Sequence, residues 1–232
     1  VKVIETIVDH VGGRVPVVAN VSASSTKLSV ALAQAVSGMS IDGIAVTPPY
    51  YYPCAQDELL EHFRYINKSS GMPLWIYNIP STVKTVVDPT TIATLSEEGT
   101  IVGVKDSSGA GELLAQLNVL CEQSELELYR FLGTTYRISN SGSVGAHGVI
   151  PGIANLIPRV CVQAWEAGDI GDDKAARKAN ADIVLSLKVQ GLAKAGGPNA
   201  SRLAGLKSAL KIMGIFKHDT ISRPLRPLTN EE

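Results

Sequence analysis

Six times along the chain, a short run of aliphatic and β-branched residues gives way to a longer segment with helical spacing. The candidate strands lie at 15–21, 41–47, 74–78, 101–105, 126–132 and 148–153. Several are continuously apolar rather than alternating, which marks strands covered on both faces, as in a parallel sheet. The segments between them carry apolar stripes: Leu28/Leu32/Ala35, Leu59/Phe63/Ile66 and Leu113/Leu117/Leu120. Those spacings give an amphipathic helix one buried face. Strand then helix at this repeat length is the βαβ unit. Six units in a row admit two architectures, a doubly wound sheet or a (β/α)8 TIM barrel.

The ends of the chain differ from its middle. After about Gly171 no strand pattern remains. Two helices are expected there, one with Ala176/Ile183/Leu187 on a face and one with Leu203/Leu206/Leu210/Met213, closed by Gly214. At the start, Val1, Ile4, Val8 and Val11 already show helical spacing with no capping residue before them, and Gly12-Gly13 ends the pattern. A barrel needs eight units and six are visible, so the reading expects two further βα units upstream and a longer natural chain. Residues 1–170 are assigned to the barrel and 171–232 to a C-terminal helical extension.

Composition narrows the function classes. The 232 residues are 45% hydrophobic and 19% charged, which excludes disorder. A net charge of −1 argues against nucleic acid or a membrane surface as a bulk electrostatic partner. No apolar run reaches 18 residues, and no basic-then-apolar leader pattern appears. Cys54, Cys121 and Cys161 are odd in number and far apart, so neither a disulfide framework nor a metal-ligand pair is expected. That usage suits a reducing, cytoplasmic setting. From residue 174 onward eleven Lys/Arg face four Asp/Glu, which reads as a solvated helix face ahead of a site for an anionic partner.

In parallel α/β folds, sites form at the carboxyl ends of strands. The fourth strand, Ile101-Val102-Gly103-Val104, ends in Lys105-Asp106-Ser107-Ser108-Gly109. Burial favours the neutral amine of a lysine, and a free amine can condense with a carbonyl to form a Schiff base. An ion pair with Asp106, or a phosphate contact, would equally explain a lysine there. The third strand ends in Tyr77-Asn78-Ile79-Pro80, placing a phenol that either relays protons or packs in the sheet. The second runs into Pro48-Pro49-Tyr50-Tyr51-Tyr52-Pro53, a rigid aromatic loop suited to a pocket or a subunit contact. Gly133-Thr134 follows the fifth strand, and Gly145-Ala146-His147-Gly148 leads into the sixth, with room for close backbone approach. His147 is read as structural, and Glu58 with His62 as a surface pair one turn apart rather than a metal site. The sequence contains no Walker loop, Gly-x-Gly-x-x-Gly or metal-ligand cluster.

Val46-Thr47-Pro48 with Tyr50, then Tyr77-Asn78-Ile79-Pro80, then Gly103-Val104-Lys105-Asp106-Ser107 occur in order along the chain. Together they resemble the dihydrodipicolinate synthase/N-acetylneuraminate lyase superfamily of class I aldolases, and the resemblance runs to Arg223-Pro224-Leu225. It implies a (β/α)8 barrel with extra C-terminal helices, a homotetramer built as a dimer of dimers, and no metal or organic cofactor. It also implies a carbon–carbon lyase that joins pyruvate or another 2-oxo acid to an aldehyde, or cleaves that bond. By position, Lys105 is the Schiff-base lysine and Tyr77 the proton relay. Tyr50 matches the tyrosine lent across a dimer interface. Gly133 and Ile150 match positions lining the pyruvate pocket, with Thr47 and Val46 as weaker candidates.

Two departures carry information. The family's Gly-x-x-Gly-Glu segment, which holds the 2-oxo acid carboxylate, would fall upstream of Val1. Dihydrodipicolinate synthases also place an arginine five residues after the motif tyrosine, where this chain has Thr82. A threonine lacks the charged, bidentate grip of an arginine on a carboxylate. The expectation is therefore an aldolase for a hydroxylated 2-oxo acid such as a 2-keto-3-deoxy sugar acid. The alternatives are dihydrodipicolinate synthase itself, a 2-oxo acid dehydratase using the same iminium, and a non-catalytic barrel that binds a 2-oxo acid.

Overall fold

The structure, a computed structural model, describes residues 1–194 and 196–232. Six strands form one sheet: β1 (Val18–Asn20), β2 (Gly43–Val46), β3 (Leu74–Asn78), β4 (Gly103–Asp106), β5 (Tyr129–Leu132) and β6 (Gly148–Val149). All neighbours are parallel and follow one another in chain order. A doubly wound sheet reverses its strand order partway, whereas this sheet winds in one direction only, as a barrel does. The α/β class is as expected. Closure into eight strands is not seen among the described residues, where β1 pairs only with β2 and β6 only with β5.

Local chemistry trims the expected strands. Pro16 has no N–H to give a ladder, and β1 begins only after it. Pro151 stops β6 after two residues, and a 3-10 turn, Gly152–Asn155, takes over. β4 gains one residue beyond the expected span, because Asp106 still pairs in register with Asn78.

The helices are α1 (Lys2–Val11), α2 (Thr26–Val36), α3 (Gln56–Ser70), α4 (Pro80–Val83), α5 (Pro89–Glu97), α6 (Glu112–Gln123), α7 (Pro158–Asp169), α8 (Asp173–Ser186) and α9 (Pro198–Ile212). α1 ends at Gly12, whose left-handed φ of 56° suits a residue without Cβ. The two expected C-terminal helices are α8 and α9. Leu187 starts a 3-10 turn rather than continuing α8, and Gly214 takes its positive φ one residue past the α9 cap at Met213.

The chain divides into two compact units. One is 1–134 with 141–150, the other 135–140 with 151–232. The boundary expected after residue 170 falls inside the second unit, at the turn between α7 and α8. In the first unit, Ile44, Val46, Leu74, Ile76, Val104 and Leu132 point to the helical side and bury against Leu59, Phe63, Ile66, Leu114 and Leu117. At about 25 cal/mol per Å² of apolar surface, this layer dominates the unit's stability. In the second unit α7 packs on α8.

Candidate active site

Strand alternation sorts side chains onto two faces. The helical face takes Ile44, Val46, Ile76 and Val104. The other face takes Ala45, Trp75, Gly103 and Tyr129 in one row, in register across β2 to β5. Trp75 stacks on Tyr129 at 5.9 Å between ring centroids and meets Phe131 at 5.4 Å. Two glycines of this face make room for those rings: a Cβ on Gly103 would collide with Trp75, and one on Gly148 would approach Phe131 to 2.5 Å.

Two residues further along the strands, towards their carboxyl ends, Tyr77, Lys105, Phe131 and Gly148 share a row. Lys105 is half-buried, and its Nζ lies 4.1 Å from the centroid of the Tyr77 ring. The sequence left open an ion pair with Asp106. Asp106 points to the opposite face instead, where its Oδ1 accepts from Asn78 Nδ2 at 2.9 Å and from the Ser108 N–H at 3.1 Å. Among the described residues, no carboxylate stands within 4.0 Å of Lys105 Nζ.

The remaining candidates lie at or beyond the carboxyl ends of β2, β3, β5 and β6. Gly133 follows β5, and its N–H donates to Asp106 O at 2.6 Å, which brings it beside the end of the lysine strand. A Cβ there would collide with Ser107 Oγ and press on Asp106 O at 3.0 Å, so the close approach favours glycine. Ile150 follows β6, donates its N–H to Leu132 O at 2.9 Å and is 47% exposed. Thr47 is buried at the end of β2; its Oγ1 donates to Pro48 O and its N–H to Ser22 Oγ. Val46 is a fully buried core residue. Thr82 is exposed on α4, where its N–H donates to Ile79 O. Tyr50 is 51% exposed in its loop, and its neighbours Tyr51 and Tyr52 meet edge to face.

Glu58 and His62 do not form the expected surface pair. Glu58 accepts the Ala55 N–H at the start of α3, while His62 is buried with its Nδ1 2.8 Å from Thr26 Oγ1. Burial pushes His62 down to about 4, partly opposed by a contact with the Thr47 backbone. His147 Nδ1 accepts the Arg130 N–H, a structural role, with its titration lowered by burial and then by Arg130. Burial and then Glu58 push the Cys54 thiol up, which disfavours a thiolate nucleophile beside the tyrosine loop. No His/Cys/Asp/Glu group among the described residues could hold a metal ion, and no helix there is long and apolar enough to cross a membrane.

Sequence reasoning passed over the pair formed by Asn78 and Asp106. Its signal was two polar residues following the site residues on both strands, on the face that also carries Ile76, Val104 and Leu132.

Comparison with known proteins agrees with this geometry. The chain matches the family described as dihydrodipicolinate synthetase over residues 1–232. It is 33% identical over 231 residues to an uncharacterized DapA-like lyase of Halobacterium salinarum, covering 100% of this chain and 72% of that one. It is 34% identical over 230 residues to the 4-hydroxy-tetrahydrodipicolinate synthase of Methylobacterium radiotolerans, covering 98% and 73%. The dihydrodipicolinate synthase structure from Bacteroides thetaiotaomicron superposes with a TM-score of 0.90 at 27% identity, over 99% of this chain and 76% of that chain. A parallel sheet wound in one direction, a lysine and a tyrosine meeting at adjacent strand ends, and a match along the whole sequence lead to one assignment: the chain belongs to the dihydrodipicolinate synthetase family.

Proposed function

We propose that this protein is a class I aldolase in which Lys105 forms a Schiff base with pyruvate or a related 2-oxo acid. The carrying observation is the contact of Lys105 Nζ with the Tyr77 ring at the carboxyl ends of β3 and β4. In this reading the Lys105 amine adds to the 2-oxo carbon, and the carbinolamine loses water to give an iminium. The iminium takes up the electron pair of the C3–C4 bond during cleavage, giving a C2–C3 enamine and an aldehyde; a proton added at C3 and then water at C2 release pyruvate and free Lys105. Synthesis runs the same steps in reverse. Tyr77 supplies and removes the protons, the work of a general acid and base. Gly133 and Ile150 line the 2-oxo acid pocket, and Thr47 shapes the floor of the tyrosine loop. Tyr50 reaches the site of a second subunit in a homotetramer. No metal or cofactor takes part.

The aldehyde is proposed to be a neutral hydroxyaldehyde, as from a 2-keto-3-deoxy sugar acid, because Thr82 offers no cation to a second carboxylate. The names of relatives at 31–34% identity favour a second reading, 4-hydroxy-tetrahydrodipicolinate synthase. We place the sheet in a (β/α)8 barrel, whose closure takes two more strands between β6 and β1, with 1–170 in the barrel and 171–232 as a helical extension. A cytoplasmic setting accords with three free cysteines, two of them buried.

Borohydride reduction in the presence of pyruvate tests the reaction class. Peptide mass mapping should find one reduced pyruvate adduct, on Lys105. An unmodified protein would leave only a binder of 2-oxo acids, and an adduct on another lysine would move the site.

A further inference from the structure

Asn78 and Asp106 are fully buried polar residues that the chemistry above does not use. They follow Tyr77 and Lys105 in sequence and pair with one another in the strand register, as Tyr77 and Lys105 do. Asn78 Nδ2 donates to Asp106 Oδ1 at 2.9 Å, and Asn78 Oδ1 accepts the Val87 N–H at 3.0 Å. Asp106 Oδ1 also accepts the Ser108 N–H, which ties the loop after β4 to the same point. Two backbone bonds finish the sheet here: Ser107 N–H to Asn78 O at 2.7 Å and Gly133 N–H to Asp106 O at 2.6 Å. The brace thus stands where the ladder of β3 and β4 runs out, one residue beyond the proposed reacting groups.

Stability alone is a poor reason for such a pair. Burying a carboxylate and an amide is costly, and apolar replacements of buried polar pairs are often neutral or stabilising. Asp106 Oδ2 has no hydrogen-bond partner and is buried, so the pair is not even fully satisfied. What it supplies is direction. Successive side chains leave a strand on opposite faces, so a twist or slip of Asp106 against Asn78 moves Lys105 against Tyr77.

We infer that the Asn78–Asp106 hydrogen bond is a positioning brace that holds Lys105 and Tyr77 at reacting distance. This rests on the Schiff-base role proposed for Lys105. Small misplacements of reacting groups cost up to ~100-fold in rate, so the brace acts on the rate of adduct formation more than on pyruvate binding.

The test exchanges the partners. Asn78→Asp sets two acceptors against each other and removes the bond. Asp106→Asn keeps an acceptor for Asn78 Nδ2. In the double variant, residue 106 donates its amide to the carboxylate at 78 and the Val87 N–H keeps its acceptor, while the Ser108 N–H, which shares that one Asp106 oxygen, loses its own. The readout is the rate of borohydride-trapped pyruvate adduct at Lys105 against pyruvate concentration, with thermal melting of each variant. Asn78→Asp should lose tenfold or more in maximal rate, with half-saturation within threefold of wild type. Asp106→Asn should stay within threefold of the wild-type rate, and the double variant should recover at least threefold over Asn78→Asp. If Asn78→Asp does not fold, Asn78→Ala carries the same expectation for rate and half-saturation. A wild-type rate in Asn78→Asp, or a double variant no faster than it, overturns the brace alone. Failure of the wild-type protein to trap pyruvate on Lys105 overturns both this inference and the proposed reaction.

Discussion

Lys105 stands over the face of the Tyr77 ring, with Nζ 4.1 Å from its centroid, because β3 and β4 pair Tyr77 directly with Lys105. A cation over a ring face gains about 0.5–2 kcal/mol from the ring quadrupole. The contact orients the lysine without an acidic partner. An ammonium held this way has no ion pair to break before it gives up its proton and attacks a substrate carbonyl.

The first prediction follows from that arrangement. Lys105→Ala removes a half-buried chain whose charge no described carboxylate pairs with, so the melting temperature should stay close to wild type. Pyruvate trapping should vanish. A variant that still accumulates the reduced adduct would locate the nucleophile at another lysine.

Tyr77→Phe keeps the ring and loses only the hydroxyl. Turnover should fall by ~10²–10⁴, the usual contribution of a general acid or base. The cation–ring contact remains in this variant, so pyruvate half-saturation and the melting temperature should change little. A loss under about fivefold, or a large fall in melting temperature at unchanged kcat, would make Tyr77 a packing residue.

Thr82→Arg restores a cation on α4. A hydrogen bond to a charged group is worth about 1.5–3 kcal/mol, or roughly 10- to 160-fold in affinity. Wild type should prefer glyceraldehyde to aspartate semialdehyde as the partner of pyruvate, and the variant should shift kcat/KM towards the acidic aldehyde. A wild-type preference of tenfold or more for aspartate semialdehyde would support the synthase reading instead.

His62 makes acid stability measurable. Its ordinary value is 6.5, and burial pushes it to about 4 in the folded protein. Between these values the unfolded chain binds the proton and the folded one does not. Its contribution is therefore complete above about pH 6.5 and is lost as the pH falls towards 4. That displacement corresponds to about 3 kcal/mol. Urea titrations between pH 8 and 4 should show the decline, and His62→Gln should flatten it over the same range. An unaltered pH slope in the variant would assign the effect to other groups.

Much of this molecule is readable without coordinates, for physical reasons. Ile76 and Val104 announce their strands because parallel strands are buried on both sides. Lys105 and Tyr77 stand out because strand ends are where polar groups emerge from apolar runs. What the periodicity hides is pairwise. The bond between Asn78 and Asp106 spans 28 residues, and nothing local to either announces the other. His62 has the spacing of a surface neighbour to Glu58, yet it turns inward to Thr26 across 36 residues. Strand ends moved for local causes: prolines 16 and 151 cut two strands short. The exposure of Tyr50 and Thr82 follows from their own loop and short helix, which a one-dimensional pattern does not orient.

The aromatic row next to the lysine has a consequence for how this chain is free to change. Gly103 has no side chain because Trp75 occupies that volume, and Gly148 yields in the same way to Phe131. Gly103→Ala should cost about 1–3 kcal/mol, as overpacking does, and denaturant titration will measure it. Coupling it with Trp75→Phe should recover part of the loss, since the smaller ring vacates the space that the methyl needs. The two positions then form one inherited unit: neither can drift alone, and relatives that carry a side chain at one should carry a smaller ring at the other.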